Sequence, residues 1–349
     1  MKDSEKIRIG IVGLGRAGWR NHFQALMQRD DAQVVAIVDP LVERRAEAMS
    51  QADCQAFTTL GRMLKQVPLD VVVVATPSHY HSRQTRQALR AGCHVVVEKP
   101  MALSVGEADG MIRLAQDVGK NLFVHQNYRF NRLFTHINQI ARSGIIGRVY
   151  HIRYFRYGFN RRNDWQTLSR FGGGVLNNKG AHEIDMVLQL MGAPVVEVMG
   201  DLQQIAAPGD AEDHCKAFLR AANGCTADLE FSDAQNIGAV PASWVLCGSC
   251  GTMVTSKSMS TVRFFDPDRA APIEVNSGAA EGRLYGNNDV LPWQEKTMVA
   301  EGPDVGTFYD NVVGVLQEGE PMRVTVESVR ETIRVMAVIR KGTLFGRRR

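Results

Sequence analysis

The fold is decided by a stretch near the start of the sequence, Ile7–Gly18, which reads IRIGIVGLGRAG. Its first half is a short apolar run typical of a buried β-strand, and its second half is a GxGxxG pattern. A helical segment from about Ala17 to Arg29 follows, and the apolar run Val34–Val38 leads directly into Asp39. A strand, a glycine-rich turn, a helix and a second strand at this spacing predict a βαβ unit.

The glycine loop predicts a dinucleotide-binding site. Gly13 permits the tight turn after the strand, Gly15 lets the backbone approach a pyrophosphate, and Gly18 lets the helix pack close to the sheet. The start of the helix, at Arg16 and Ala17, offers free N–H groups and a positive dipole end to the phosphates. The alternative is a glycine-rich turn that binds no ligand.

Asp39 bears on which nicotinamide cofactor is bound. A carboxylate at the end of the second strand accepts hydrogen bonds from both ribose hydroxyls of NAD and repels the 2′-phosphate of NADP. Arg44 and Arg45 lie nearby and complicate this argument, although a predicted helix can point both side chains to solvent. The sequence therefore favours NAD over NADP.

Strands and helices continue to alternate after Asp39, which predicts a doubly wound parallel sheet with helices on both faces. We assign residues 1–127 to this Rossmann domain. The predicted elements are a strand over 69–75 closed by Thr76-Pro77, a helix to about Ala91, a strand over 95–97, a helix from Ser104 to Val118 and a strand over 122–124.

The pattern changes after Arg129, and strand-like runs dominate the rest of the chain. Asn223-Gly224 between two such runs is a hairpin signal. Residues 128–349 are therefore predicted to form a substrate-binding and oligomerisation domain of the α+β class, with a large, mostly antiparallel open sheet. Helices are predicted near 131–142, 176–191, 307–318 and 326–340, and a long loop is predicted over 268–303.

Composition excludes several classes of protein. The chain has 349 residues, of which 44% are hydrophobic and 22% charged, so it can build two cores and is not disordered. A net charge of +4 gives no argument for nucleic-acid binding, and we interpret the basic run Arg347–Arg349 as a solvated tail. No signal peptide or membrane span is visible, so the sequence predicts a cytoplasmic protein without a membrane partner.

The six cysteines are few for a chain of this length and are interpreted as reduced thiols. Cys247 and Cys250 form a lone CxxC pattern, for which a redox or metal function would require an active-site helix or a second ligand pair. Neither is visible in the sequence. We therefore expect these two thiols to be buried and inert, and we predict no metal site.

Two polar clusters carry candidate catalytic residues. Glu98-Lys99-Pro100 follows the fifth strand, where ligands of parallel sheets bind, so Lys99 either faces the cofactor or is a surface lysine. Lys99 could act in proton transfer only if its pKa were lowered.

In the second cluster Asn178 and His182 share one helix face, with Asp185 three residues further on. His182 is either an acid–base group or a histidine that satisfies the core.

These clusters, in this order, resemble the glucose-fructose oxidoreductase / inositol dehydrogenase (Gfo/Idh/MocA) family over nearly the whole chain. The motifs that carry the resemblance are the glycine loop, Ala75-Thr76-Pro77 with His81, Glu98-Lys99-Pro100, Gln126–Phe130, Asp164-Trp165, Gly172–Asp185, Asp210–Asp213 and the helix from Phe308 to Gly319.

The resemblance implies hydride transfer between nicotinamide C4 and the hydroxyl-bearing carbon of a sugar, cyclitol or related polyol. It implies that Lys99 anchors the substrate hydroxyl and assists proton transfer, and that His182 is the catalytic acid/base. The family's open sheet commonly forms subunit interfaces, which implies a homodimer or homotetramer. By position, the implied substrate or nicotinamide contacts are Tyr128, Arg129 and Trp165, and further cofactor contacts are Thr76, Pro77, His81, Glu98, Lys99 and Gln126.

Asn178 departs from the family pattern, because many members have an aspartate there. Asparagine orients a partner but supplies no charge, so we keep Asn178 in the catalytic and substrate-contacting set and expect Lys99 and His182 to transfer the proton. Two other functions stay open: a redox-neutral glycosidase or lyase with tightly bound NAD, and a non-catalytic NAD-sensing regulator.

Specificity is expected in the second domain, around residues 157–170 and in the loop over 268–303. Four residues there either favour an acidic or phosphorylated sugar or serve packing, the cofactor or a subunit contact: Arg156, Arg161, Arg162 and Trp165.

Overall fold

The computed structural model describes residues 6–237, 243–275, 277–278, 289–300 and 307–346. The predicted solvated tail Arg347–Arg349 and much of the predicted loop over 268–303 lie outside the described residues.

The first sheet is six-stranded and parallel, with the order β3-β2-β1-β4-β5-β6. This is the order of a Rossmann fold, and the chain reverses its direction of winding between β1 and β4, where such sheets bind ligands. Its central strands are buried on both faces and are accordingly rich in valine. The strands are β1 (Ile7–Val12), β2 (Ala32–Val38), β3 (Gln55–Phe57), β4 (Val71–Val74), β5 (His94–Val97) and β6 (Leu122–Val124).

The helix after the glycine loop differs from the predicted regular helix over Ala17–Arg29. It starts as a π-helical segment, Gly18–Phe23, and ends after a short α-helical piece, α1 (Gln24–Leu26). The other helices of this domain are α2 (Val42–Gln51), α3 (Leu60–Gln66), α4 (His81–Arg90) and α5 (Val105–Asp117).

The second sheet is eight-stranded, with the order β14-β13-β12-β11-β7-β10-β9-β8. Its neighbouring strands are antiparallel except for the parallel pair β7–β10, so the predicted fold class is confirmed. The strands are β7 (Val149–Tyr157), β8 (Val195–Gln203), β9 (His214–Ala221), β10 (Thr226–Ser232), β11 (Trp244–Gly248), β12 (Gly251–Ser256), β13 (Met259–Phe264) and β14 (Gln294–Val299).

Two turn predictions have different outcomes. The hairpin at Asn223-Gly224 joins β9 to β10 as predicted, with Gly224 at a φ of 84° that favours glycine. The loop predicted over 268–303 is wrong in part, because β14 lies inside it and pairs with β13. All six residues of β14 are exposed, so this edge strand lacks the buried apolar pattern by which strands are recognised.

The helices of the second half divide between the two cores. Three of them pack on one face of the second sheet: α6 (Arg132–Arg142), α7 (Ala181–Met191, preceded by the π-helical segment Leu176–Gly180) and α9 (Val326–Lys341). The fourth, α8 (Thr307–Val313), brings Phe308 and Tyr309 into the first core instead. A single cut after residue 127 therefore does not separate the cores, because the apolar face of α8 is covered by the Rossmann domain.

The outer face of the second sheet carries exposed apolar side chains, including Tyr150, Val196, Met199 and Val254. Cys247 lies in β11 and Cys250 in the tight turn to β12, and both are half-buried rather than buried. Within the described residues, no helix is long and apolar enough to cross a bilayer.

Candidate active site

A cavity of about 1760 Å³ lies at the carboxyl ends of β1, β2, β4 and β5 and is closed on its other side by residues from the second domain. Most of the residues predicted from the sequence line it: Gly13, Gly15, Arg16, Ala17, Asp39, Thr76, Pro77, His81, Glu98, Lys99, Tyr128, Trp165, Asn178 and His182. The predicted residues that do not line it are Gly18, Gln126 and Arg129.

The glycine loop has the shape that a dinucleotide requires. Gly13 has a φ of 92°, and a Cβ built on Gly18 would overlap the carbonyl oxygen of Gly13, so the helix and the turn approach as predicted. A Cβ built on Gly15 would instead enter open space on the cavity side, with no atom within 4 Å. This open space is where a pyrophosphate would meet the backbone.

Asp39 lies at the same end of the cavity and is held by the backbone. Its Oδ2 accepts a hydrogen bond from Leu14 N at 2.8 Å, and its Oδ1 accepts one from Leu41 N at 3.0 Å. Arg45 donates to the Asp39 carbonyl oxygen at 2.8 Å, so it does not reach into solvent freely. Arg44 lines the cavity with Nη1 3.4 Å from Asp39 Oδ2, which places a cation near the ribose position.

Glu98 is the centre of a buried hydrogen-bond network that the sequence did not reveal. Its Oε1 accepts from His125 Nδ1 at 3.0 Å and lies 3.2 Å from His22 Nε2, and its Oε2 accepts from Lys99 N at 3.0 Å. His22 Nδ1 in turn lies 2.6 Å from the Tyr309 hydroxyl. The network ties the backbone of Lys99 to three distant segments of the chain.

His22, Glu98 and His125 also have the composition of a metal site, with ligand atoms within 4.8 Å of one another. Glu98 Oε1 already accepts hydrogen bonds from the two rings and from Asn21 Nδ2, at 3.4 Å. We therefore interpret this cluster as a closed network that positions Lys99.

Burial sets the protonation of the network. It lowers the pKa of His22 from 6.5 to about 4, and the charge of His125 adds to this effect. Burial alone would raise the pKa of Glu98, but the charge of His125 and the hydrogen bonds from His125 and His22 hold it well below its usual range. Near neutral pH these effects keep the His22 ring neutral and the Glu98 carboxylate ionised.

We predict that acid destabilises the protein through His22. The unfolded chain binds a proton at His22 below pH 6.5 while the folded protein resists it down to about pH 4. The contribution is complete above pH 6.5 and is lost as the pH falls towards 4, amounting to about 3 kcal/mol of unfolding free energy. Urea unfolding at stepped pH values measures it. His22→Gln should remove about that much of the drop, and an unchanged slope in this variant would contradict the assignment.

Lys99 is positioned by a main-chain group. Its Nζ donates to the carbonyl oxygen of Asn178 at 2.8 Å, whereas the Oδ1 of the same residue is 3.4 Å away. Asn178 lies in the π-helical segment before α7. Removal from water lowers the pKa of Lys99, and the carboxylate of Glu98 partly offsets that shift.

Gln126 fixes the tautomer of His182. Gln126 Nε2 donates to the carbonyl oxygen of Ala181 at 2.6 Å, so its Oε1 is the atom that faces His182 Nδ1 at 3.1 Å. Because an amide oxygen only accepts, Nδ1 of His182 carries the hydrogen and Nε2 is left basic. The ring of Tyr128 stacks on His182 at a centroid distance of 4.0 Å. Gln126 thus lies behind His182 and does not line the cavity.

His182 is buried although it lines the cavity. Burial is the main cause that lowers its pKa well below 6.5, and the positive charge of Lys99 is the next. The ring is therefore neutral near neutral pH, with Nε2 available to accept a proton.

Arg129 and Asp185 pair with each other and not with the substrate side of the site. Arg129 Nε and Nη2 donate to the two carboxylate oxygens of Asp185 at 2.7 and 2.6 Å. Thr332 of α9 also donates to Asp185, at 3.0 Å, so Asp185 of α7 is held by both Arg129 and α9. Asp185 is therefore not the polar partner of His182, one turn away on the same helix.

The second domain contributes Tyr157, Asn160, Arg162 and Trp165 to the cavity, all within the predicted specificity region over 157–170. The described residues of 268–303 contribute none.

Comparison with known proteins gives this geometry a family. Residues 7–126 match the oxidoreductase family with an NAD-binding Rossmann fold, and residues 134–254 match the GFO/IDH/MocA C-terminal domain. The chain belongs to the GFO/IDH/MocA oxidoreductase family. Its N-terminal domain is accordingly an NAD-binding Rossmann domain, and the predicted cofactor is confirmed.

Two curated relatives and one solved structure illustrate the likeness. A 1-carboxy-3-chloro-3,4-dihydroxycyclohexa-1,5-diene dehydrogenase from Comamonas testosteroni is 31% identical over 65% of this chain and 58% of its own length. D-glucoside 3-dehydrogenase from Escherichia coli is 29% identical over 56% of each protein. The chain thus spans little more than half the length of these two relatives.

The solved structure is the WlbA dehydrogenase from Bordetella pertussis in complex with NADH and UDP-GlcNAcA. It is 25% identical and has a TM-score of 0.78, and the match covers 98% of this chain and 97% of that one. The two-domain fold is therefore shared over nearly the full length.

Proposed function

We propose that this protein is an NAD-dependent dehydrogenase that oxidises a CH–OH group of a sugar, cyclitol or sugar derivative. The observation that carries the proposal is the single cavity with the glycine loop and Asp39 at one end and Lys99 and His182 at the other. When bound, NAD supplies a nicotinamide C4 that accepts a hydride. Named relatives that dehydrogenate a glucoside and a dihydroxylated ring support the substrate class.

The proton-transfer roles follow from the contacts of two residues. Lys99 Nζ donates one N–H group to the carbonyl oxygen of Asn178, which leaves its other N–H groups for the substrate oxygen. Its ammonium group would stabilise the negative charge that develops on this oxygen during hydride departure. His182 would accept the hydroxyl proton at Nε2 while Gln126 holds Nδ1.

Asp39 supports NAD over NADP, because its buried carboxylate would lie beside the 2′-position of the ribose. Arg44 weakens this preference, since its guanidinium reaches the same end of the cavity. Held 3.4 Å from Asp39 Oδ2, however, it is partly neutralised there.

A panel of sugars, cyclitols and uronic acids, tested with NAD and NADP side by side, checks the proposal. We expect NADH absorbance to accumulate with at least one substrate, with kcat/KM for NAD exceeding that for NADP by about tenfold or more. Substrate loss without NADH accumulation would indicate a redox-neutral glycosidase or lyase instead. NAD binding without turnover of any member would indicate a non-catalytic sensor.

We also propose that the outer face of the second sheet forms the interface of a homodimer or homotetramer. Its exposed apolar side chains, among them Met199 at 71% and Val196 at 60% exposure, support self-association.

A further inference from the structure

One ion pair of the second domain has no function in the steps above. Arg156, on β7, donates through Nη1 to Glu183 Oε1 on α7. We infer that Arg156 is a receptor for an anionic group, a carboxylate or a phosphate, so that the substrate is an acidic or phosphorylated sugar or cyclitol derivative. This inference rests on the proposed dehydrogenase function for the identity of the reaction.

Glu183 holds Arg156 in place from inside the protein. Its side chain is completely buried, which is costly for a carboxylate unless a cation compensates it. Arg156 is that cation, and the Tyr154 hydroxyl also interacts with this carboxylate. From this buried position Glu183 fixes the Arg156 guanidinium at the cavity wall.

The rest of the guanidinium is available to a ligand. Arginine has five N–H donors, of which the Glu183 contact uses one. The Arg156 side chain is 40% exposed and lines the cavity, and no other partner for it occurs in the described part of the chain. The free donors form the planar fork that binds carboxylate or phosphate through two parallel hydrogen bonds.

Two other cations that the second domain contributes to the cavity, Lys179 and Arg162, are each paired with a carboxylate. Lys179 lies 2.6 Å from Asp233, and Arg162 pairs with Asp164, and both carboxylates line the cavity themselves. Glu183 does not line the cavity, so its charge is on the protein side of Arg156. Arg156 therefore presents donors to the cavity that no carboxylate among the described residues occupies from the cavity side.

Arg156 also lies close to the reacting groups. Burial is the main cause of the lowered pKa of both Lys99 and His182, and the charge of Arg156 adds to it at both residues. An anionic substituent bound at Arg156 would thus be held beside the carbon to be oxidised, and it would offset the positive charge gathered around His182. A residue that merely tied β7 to α7 would treat charged and neutral ligands alike, which distinguishes the two roles.

Equilibrium binding to the NADH-loaded, full-length protein tests the inference without depending on turnover. The ligands are matched sets of a neutral hexose, its uronate and its 6-phosphate, in the gluco and galacto series. We expect at least one anion to bind about 10- to 100-fold more tightly than its neutral counterpart. Comparing the uronate with the phosphate identifies which anionic group the site prefers.

Arg156→Gln should reduce this ratio to about one while leaving binding of the neutral hexose within about threefold. The double variant with Glu183→Gln repeats the test without an unpaired buried carboxylate, in case the single variant does not fold. The control is Arg153→Gln on the opposite face of the same strand, which is exposed and does not line the cavity.

Equal binding of neutral and anionic ligands by the wild type, no binding of any anion, or an unchanged ratio in the Arg156 variants would overturn the inference. Wild-type turnover of a neutral sugar with a kcat/KM that none of its anionic counterparts exceeds would overturn it too, yet would leave the proposed dehydrogenase function intact. Selective anion binding without any hydride transfer would support the inference about Arg156 and contradict the proposed dehydrogenase function.

Discussion

Replacing His182 with alanine is expected to lower kcat by about 10²- to 10⁴-fold, the usual contribution of a positioned general base. The structure gives His182 a neutral ring, a tautomer fixed by Gln126 and a position on the cavity wall. Removing the ring removes the proton acceptor and leaves NAD binding intact, since the glycine loop and Asp39 lie at the other end of the cavity.

Replacing Asn178 with alanine should cost less than about tenfold in kcat. Its main-chain carbonyl holds Lys99 at 2.8 Å and survives the substitution, and only the longer contact of 3.4 Å to Oδ1 is lost. Asn178→Ala is therefore the matched control for His182→Ala, taken from the same helix face. Steady-state kinetics that showed equal, small losses in both variants would refute the roles given to these two residues.

The pH dependence supplies a second readout for His182. Because burial and the charge of Lys99 hold its pKa well below 6.5, the ring stays deprotonated in mildly acidic solution. The rate of oxidation by the wild type should therefore not decline as the pH falls through 6.5. Its acid-side decline should begin at a lower pH. That decline should disappear in the residual activity of His182→Ala.

Local sequence was sufficient to predict one end of the cavity. Gly13, Gly15 and Gly18 act within a single turn, and Asp39 follows at the next strand end, so spacing alone brings them together. Glu98 and Lys99 were found for the same reason, because a parallel strand delivers its carboxyl end to a known edge of the sheet.

Residues whose partners come from distant parts of the chain were not predictable in this way. Gln126 was expected on the cofactor, but its amide is taken up by Ala181 and His182 from a helix that starts 55 residues later. Arg129 was expected at the substrate and is paired with Asp185 of that same helix. The sequence shows the chemistry of such side chains, but only packing of the two domains decides which partner they meet.

The hydrogen-bond network around Glu98 is a further set of long-range contacts that the sequence does not predict. His22 and Tyr309 lie 287 residues apart and meet at 2.6 Å because α8 returns to pack on the Rossmann domain. No periodicity or motif spacing encodes that return. The edge strand β14 was missed for a different reason, since a fully exposed strand has no buried face to generate an alternating pattern.

Replacing Lys99 with methionine is expected to lower kcat by about 10²- to 10³-fold, the cost of removing one donor from a developing oxyanion. Methionine fills a similar volume but cannot donate a hydrogen bond, so the substrate oxygen and the Asn178 carbonyl both lose a partner. NAD affinity, measured by fluorescence titration, should stay within about threefold, because the phosphates and ribose are bound elsewhere.

The alkaline limb of the pH profile separates this role from a structural one. In the proposed mechanism Lys99 is an ammonium donor, and removal from water lowers its pKa from the usual 10.5. Oxidation should therefore decline with rising pH before that value is reached, and the decline should be absent from the residual activity of Lys99→Met. Lys65→Met, at an exposed position of α3, is the control and should keep wild-type kinetics. If the alkaline decline persisted in Lys99→Met, it would belong to the titration of another group. Lys99 would then have only a structural role.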